Sequence, residues 1–392
     1  MNPVIFLLAL AGANSGISMR AVEPMLPRLA ADFGTDVPTA ARVITVYAAF
    51  YALAQLLHGL LGDRFGKLRV ITVMLLLSMA AFAGCAFAPD LDSLLAWRAA
   101  TGVVSSASVM LGMAYIGDEV PLAERPAVMA HYMAGNVLGH AVGQFIGGVL
   151  IDIVGWRATF LFLSLVFGAV GATLYAKTHA RWAGEPRPGV SLLSLGQYAD
   201  ILRNRSALNV TLCGLAETFF FFGAFAYLGA MVKERFDTSY TLIGIILSGF
   251  GVGGLAFAAS IKWLLGRLGS SGLIVAGGVV VCAGYAATVL APTWWPLIAL
   301  TVTLGYGFNM LHNSLQIRAT EMAPHARGIG MSVFSAAWTF GQGAGVAAMG
   351  ICVGVFGYGP PIIAFGIGFA LLAAWMVASF DAAPREPRRD LE

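Results

Sequence analysis

Apolar windows bounded by charges, glycine or proline recur along the whole chain. They fall at 4–24, 43–61, 70–88, 93–116, 127–151, 158–176, 207–231, 241–261, 272–290, 294–317, 328–353 and 359–379. A helix crossing a bilayer core needs about 20 mainly apolar residues, so the pattern predicts twelve transmembrane helices. Most connections are short, which makes consecutive spans antiparallel neighbours. The exception is 177–206, which holds Lys177, Arg181, Arg187, Arg203 and Arg205 with Pro186 and Pro188. It divides the chain into one six-helix unit at 1–176 and another at 207–379, joined by a polar linker at 177–206 and followed by a tail at 380–392.

Composition strengthens this reading. Of 392 residues, 58% are hydrophobic and only 11% charged, with a mean hydropathy of +0.80. A water-soluble protein needs more charge to cover its surface, whereas a lipid bilayer solvates such a surface directly. A net charge of +3 gives no case for a nucleic-acid partner. Cys85, Cys213, Cys282 and Cys352 each lie in an apolar run without metal-ligand spacing. They read as small buried hydrophobes, and no metal or cofactor is expected. Phe6 to Ala13 is apolar, but no Lys or Arg precedes it and the apolar stretch continues past Ser18. It therefore reads as an uncleaved first span rather than a signal peptide. The loops after spans 2, 4, 6, 8 and 10, with the tail, carry sixteen of the Lys and Arg residues, and the remaining loops carry five. This bias puts both termini in the cytoplasm.

The two halves repeat at an offset of 202 residues. Glu119, Arg125, Met129 and Ala134 fall on Glu321, Arg327, Met331 and Ala336, and Gly139, Gly143, Gly148 and Gly155 fall on Gly341, Gly345, Gly350 and Gly357. Average residue usage would give about three such identities by chance. Six spans per half keep equivalent helices running in the same direction. That is a parallel repeat, with the site expected near the midplane where the halves meet. The fold class that follows is an all-α polytopic membrane protein of twelve transmembrane helices, built as two six-helix pseudo-repeats.

The loop after span 2 reads Gly59, Leu60, Leu61, Gly62, Asp63, Arg64, Phe65, Gly66, Lys67. It resembles the signature of the major facilitator superfamily, with Lys67 where arginine is commoner. The resemblance implies that this loop latches one conformation. Its glycines permit a tight turn, and Asp63 suits the N-terminus of a neighbouring helix. Leu264 to Gly269 is a weaker echo. In span 4, Arg98 to Gly102 is similar to a second motif of the family, with Thr101 in place of glutamine. In span 5, Gly139, Gly143, Gly147 and Gly148 are similar to its antiporter motif and make a smooth packing face. Gln144 stands in place of the motif's proline, whose kink is thereby lost. Span 1 exits through Pro24 and Pro27, a P-x-x-P similar to that of drug-efflux members, with Arg20 where those often carry an acid. The chain most resembles the twelve-helix drug:proton antiporter and sugar-efflux branch. The resemblance implies the major facilitator fold, a bacterial inner membrane, a monomer and no cofactor.

In that fold helices 1, 4, 7 and 10 line the central cavity, which directs attention to Arg20, Glu23, Arg98, Glu217, Asn309, His312 and Asn313. Glu217 lies about ten residues from either end of span 7. A carboxylate is costly there and cheap once protonated, which suits a proton carrier; a static ion pair, with Arg20 as a candidate partner, and a solvated cavity wall are the other readings. Arg20 and Glu23, three apart, share a face and can pair instead with each other. Asn309, His312 or Asn313, and Gln316 share one face of span 10. His312 can exchange protons near neutral pH or bond between helices. His140, Thr211 and Tyr227 read as packing or minor polar contacts, and only some of the rings from Phe219 to Phe222 can reach a cavity, where they suit an aromatic substrate. The expected function is export of a small organic molecule in exchange for protons, by alternating access. A proton symporter or uncoupled facilitator for uptake is the alternative, and a non-transporting receptor a remote one. An enzyme is not expected: no H-E-x-x-H, G-x-S-x-G or paired-cysteine pattern appears.

Overall fold

The computed structural model describes residues 3–179, 182, 195–323 and 327–381. Every regular element among them is helical: α1 (Pro3–Arg20), α2 (Leu26–Asp32), α3 (Val37–Ala40), α4 (Arg42–Phe65), α5 (Lys67–Ala86), α6 (Leu91–Ser105), α7 (Ala107–Glu119), α8 (Arg125–Thr178), α9 (Leu195–Arg203), α10 (Arg205–Phe236), α11 (Tyr240–Leu290), α12 (Pro296–Glu321), α13 (Arg327–Phe356) and α14 (Gly359–Asp381). Nine segments among the described residues are long and apolar enough to cross a membrane. Two of them run to 52 and 51 residues, and each is broken by one glycine. Gly155 in α8 has φ +80° and Gly269 in α11 has φ +64°, a conformation that ends one helix and lets the next start at a new angle. The helix α12 falls outside the nine because Asn309, His312 and Asn313 lower its hydropathy. Span 4 is divided at Ser106, whose hydroxyl is bonded to the Val103 carbonyl and to His58 Nδ1.

Glycine placement explains which helices touch. A Cβ on Gly139 would overlap the Ala13 carbonyl, and one on Gly143 would overlap Ile17, so α1 lies directly on α8. In the second half a Cβ on Gly341 would overlap the Leu215 carbonyl and one on Gly345 the Phe219 carbonyl, so α10 lies directly on α13. Leu215 and Phe219 are the residues 202 positions after Ala13 and Ile17. The sequence repeat is thus also a repeat of helix contacts, atom for equivalent atom. Gly155 and its repeat partner Gly357 both have positive φ.

One continuous apolar core joins the two halves, while Leu53, Leu57, Ile153, Leu165, Ile351 and Leu371 are exposed on the outside. Bare leucine and isoleucine on a perimeter of this kind face lipid. The Asp36 side chain caps α3, and the hydrogen bonds it accepts from Thr39 hold its carboxyl below the usual carboxylate range. Within the expected linker, α9 is a short amphipathic helix whose Tyr198 hydroxyl donates to the Leu56 carbonyl of α4. Arg187, Pro186, Pro188 and the tail from 382 lie outside the described residues.

Candidate functional site

Two helix pairs join the halves, and they are related by the same repeat. Toward the Gly155 end, α8 packs on α11 and α13 packs on α4. A Cβ on Gly251 would press on Ala141, and one on Gly343 would press on Ala48; Ala141 and Gly343 are repeat partners. Gly148 lies on Tyr240 and Gly244, and its partner Gly350 lies near Pro38. At the extreme of this end, the Asp152 carboxylate accepts hydrogen bonds from the backbone N–H groups of Tyr240 (3.2 Å) and Thr241 (2.6 Å). A carboxylate from one half therefore caps the first turn of a helix in the other, where the free N–H groups and the helix dipole favour it.

A buried polar cluster lies inside that closure. Arg20 is wholly buried and donates to Glu23 at 2.6 Å. The second Glu23 oxygen accepts from Gln144 Nε2 at 2.7 Å. Arg20 also reaches Gln342 of the other half at 3.5 Å, and its guanidinium sits 3.8 Å over the Phe222 ring. Phe222 is the repeat partner of Arg20, so the two equivalent side chains meet where the halves meet. Glu23 neutralises Arg20 locally, and the aromatic face carries part of its positive charge.

From the middle of these helices toward the Gly66 end, the pairs diverge around a cavity of about 250 Å³. Its wall takes Ser15 and Met19 from α1, Tyr51 and Gln55 from α4, Val109 and Met113 from α7, and Met133, Asn136 and His140 from α8. The second half supplies Phe222 from α10, Phe250 and Gly254 from α11, Phe308, Asn309, His312 and Gln316 from α12, and Met331, Phe334, Ser335, Trp338 and Thr339 from α13. Polar groups on the wall are largely anchored. Ser15 bonds to the Tyr51 hydroxyl at 3.0 Å, Asn136 donates to the Gly12 carbonyl at 2.9 Å, and Asn309 donates to the Gly305 carbonyl at 2.8 Å.

Glu217 stands immediately behind this wall. It is fully buried, and both carboxylate oxygens accept from His312 Nδ1, at 3.0 and 3.2 Å. His312 in turn lines the cavity, stacked on Phe308. The position equivalent to Glu217 in the first half is Ser15, and that equivalent to His312 is Met110. Only one half carries this pair.

The residues singled out from sequence therefore separate. Asn309 and His312 line the cavity, with Gln316; Asn313, on the same helix, does not. Among the described residues, Glu217 meets the cavity only through His312. Arg20 and Glu23 are sealed beside it, paired with each other rather than with Glu217. Arg98 is buried away from the cavity, donating to the Val43 carbonyl at 3.2 Å with its guanidinium 4.1 Å from the Tyr47 ring. Of the four phenylalanines, Phe219 and Phe220 pack on Phe365, Phe221 is buried among aromatic rings, and Phe222 alone reaches the wall. Thr211 and Tyr227 bond to the Ala207 and Val346 carbonyls instead. In the loop motif, Lys67 pairs with Asp63 and with Asp118, and no helix N-terminus among the described residues is bonded to Asp63. Gly59, Leu61, Arg64 and Gly66 surround that turn, Gly66 with φ +90°. Gly147 packs on Ala21, and α8 stays helical through Gln144. Sequence reasoning missed Asp152, Gln342 and Gln55, because each bonds across the two halves and sits in no motif. It also missed Trp338, whose ring reaches the cavity and His312 only through the packing of α13 on the other helices of its half.

The family model described as Major Facilitator Superfamily matches residues 8–235 and 210–392. The chain is similar to the uncharacterized MFS-type transporter YwfA of Bacillus subtilis, 26% identical over 91% of this chain and 87% of that one. It is also similar to the multidrug transporter AQR1 of Candida glabrata, 29% identical over 44% of this chain and 29% of that one. The chain spans about half the length, 56%, of two further fungal relatives. Among solved structures it matches a POT family transporter crystallised with a thioalcohol-conjugated peptide. That match has a TM-score of 0.79 and 14% identity over 97% of this chain and 96% of that one, a likeness of fold.

Proposed function

This chain belongs to the major facilitator superfamily, and from that premise we propose that it exports a small organic molecule in exchange for protons, by alternating access. As a multi-pass membrane transporter it works between a lipid bilayer and a small-molecule substrate. This reading takes the broken α8 and α11 as two crossings each and adds α12 to make twelve, and it assigns them to two bundles at 1–176 and 207–379 joined by the 177–206 linker. The Lys and Arg excess supports a cytoplasmic Gly66 end and cytoplasmic termini, and the proposed setting is a bacterial inner membrane, where the chain works as a monomer. The cavity then opens inward. The Asp152 cap, the Gly148 contact and the Arg20–Glu23 cluster close the outer side. Outward opening breaks these contacts and lets the Asp63 loop engage the second half.

The observation that carries the reading is the Glu217–His312 pair. A buried carboxylate that reaches the cavity only through a histidine exchanges its proton by way of the substrate's own compartment. Proton and substrate drive the cycle only if each binds the two states with different affinity. A similar protein of Floropilus chiversii named as an efflux pump, 28% identical over 40% of this chain and 30% of that one, supports the outward direction. Uptake by symport or uncoupled exchange is the second reading, favoured by the unkinked α8 at Gln144.

The test is accumulation of a compound panel in bacteria stripped of their own pumps. Wild type, Glu217→Gln and Asp63→Asn are compared at equal membrane expression, with and without a protonophore. Wild type is expected to lower accumulation, and Glu217→Gln and the protonophore to abolish that effect. Asp63→Asn slows export. Undiminished export by Glu217→Gln removes the coupling role, and raised accumulation by wild type selects uptake.

A further inference from the structure

We propose that the cavity takes an uncharged aromatic compound bearing a hydrogen-bond donor, and that this donor and the transported proton compete for one atom, Nε2 of His312. The inference rests on the Glu217–His312 pair being the coupling site and names what binds there.

Charge is the first argument. No Asp, Glu, Lys or Arg is among the cavity's lining residues. The two carboxylates nearest it are already engaged: both oxygens of Glu217 are on His312 Nδ1, and both oxygens of Glu23 are on Arg20 and Gln144. A cation entering would leave its hydration shell with no carboxylate to face, and an anion would meet no free cationic side chain. Aromatic walls can hold a cation by themselves, but the Phe222 face is already covered by Arg20, whose charge disfavours a second one close by.

Shape and surface are the second argument. Phe222, Phe250, Phe308, Phe334 and Trp338 present ring faces and edges, with methionines filling between them. Flat apolar surfaces with polarizable, adaptable thioethers suit a planar ring system. A volume of about 250 Å³ admits one or two fused rings, below the usual span for drug-sized ligands.

The third argument is the histidine. With Nδ1–H donated to the Glu217 carboxylate, the imidazole presents Nε2 as an acceptor on its cavity edge. A hydroxyl or N–H of the substrate can donate to it. When a proton from solution binds Nε2, both ring nitrogens become donors and the substrate's donor loses its acceptor. Only a proton moves, and no other bond changes. The titratable groups around this site are Glu217 from α10, on the Nδ1 side of the ring, and His140 from α8 and Tyr51 from α4 on the cavity wall, with the Arg20–Glu23 pair behind Phe222. Among the described residues, α11 and α13 present none to the cavity.

The test is saturable equilibrium binding to the purified full chain, against protein-free micelles, with four matched probes: 2-naphthol, its methyl ether, 2-naphthoate and 2-naphthyltrimethylammonium. Naphthol is expected to bind about tenfold more tightly than the ether, as one hydrogen bond to a histidine–carboxylate pair allows. The two ions are expected to bind more weakly still. Naphthol affinity is expected to fall about tenfold from pH 8 to pH 5.5. In His312→Gln, whose amide oxygen still accepts, naphthol binding persists and the pH dependence disappears. Preference for either ion, equal binding of naphthol and ether, absence of binding by all four, or pH-independent wild-type binding each overturns the proposal. Binding needs no gradient, so naphthol binding as described without proton-driven export would sink the export reading alone.

Discussion

Arg20 and Glu23 are buried at 0% and 1% exposure, in a helix exit that the sequence singles out without showing how deeply it is buried. Their burial is tolerable because each completes the other: the guanidinium has a carboxylate, a carboxamide oxygen and a ring face, and the carboxylate has two donors. Removing one member leaves a buried charge, a loss of about 3–5 kcal/mol, whereas removing both leaves none. Glu23→Ala should therefore lower the thermal unfolding midpoint of the purified protein strongly. Arg20→Met combined with Glu23→Leu should recover most of that loss, short of the Gln144 hydrogen bond at about 1 kcal/mol. Equal destabilisation by the single and double variants would show that the cluster is not held by charge pairing.

At the scale of helices, the contact surfaces are made by what is missing. Gly345 brings the α13 backbone onto the Phe219 carbonyl, while Gly354, nine residues further along α13, has open space around it. A methyl group at the first position forces the helices apart, a cost of about 1–3 kcal/mol. At the second it meets nothing, and alanine favours the helix by up to about 1 kcal/mol. Thermal stability should thus fall in Gly345→Ala and hold or rise in Gly354→Ala. The same contrast governs the first half, where Gly143, the repeat partner of Gly345, lies on Ile17. If Gly345→Ala leaves the melting point unchanged, close approach of α10 and α13 does not set their packing.

Across the whole molecule, a symmetric frame holds asymmetric chemistry. Both joining helix pairs close at the Gly155 end by equivalent contacts, but only α8 adds a cap, Asp152 on the first turn of α11, where its repeat partner is Gly354. Losing a cap of this kind costs about 1 kcal/mol, enough to move a two-state equilibrium about fivefold. Asp152→Ala should increase the fraction of molecules open at the Gly155 end. The measurement is the pulsed electron resonance distance distribution between spin labels at Val154 and Glu234, with the accessible native cysteines replaced. An unchanged distribution would mean that the cap fastens two elements without biasing the conformational equilibrium.

The sequence by itself determined the class of the molecule. Apolar windows of spanning length, the Lys and Arg bias, the 202-residue repeat and the Gly66 loop are all local or periodic, and a bilayer leaves helices as the one way to satisfy the backbone of such a chain. It also brought Glu217 and His312 to notice, since a polar group in a hydrophobic span stands out against its neighbours. Their pairing is another matter, because they lie 95 residues apart on different helices and the pattern along either one is silent about which face meets which. For the same reason the tertiary structure alone decided that Arg20 takes Glu23 rather than Glu217, that His312 rather than Asn313 turns to the cavity, and that Arg98 turns away from it. Asp152, a plain loop-end acid in sequence, became a cap between halves only because the fold sets a helix N-terminus in front of it.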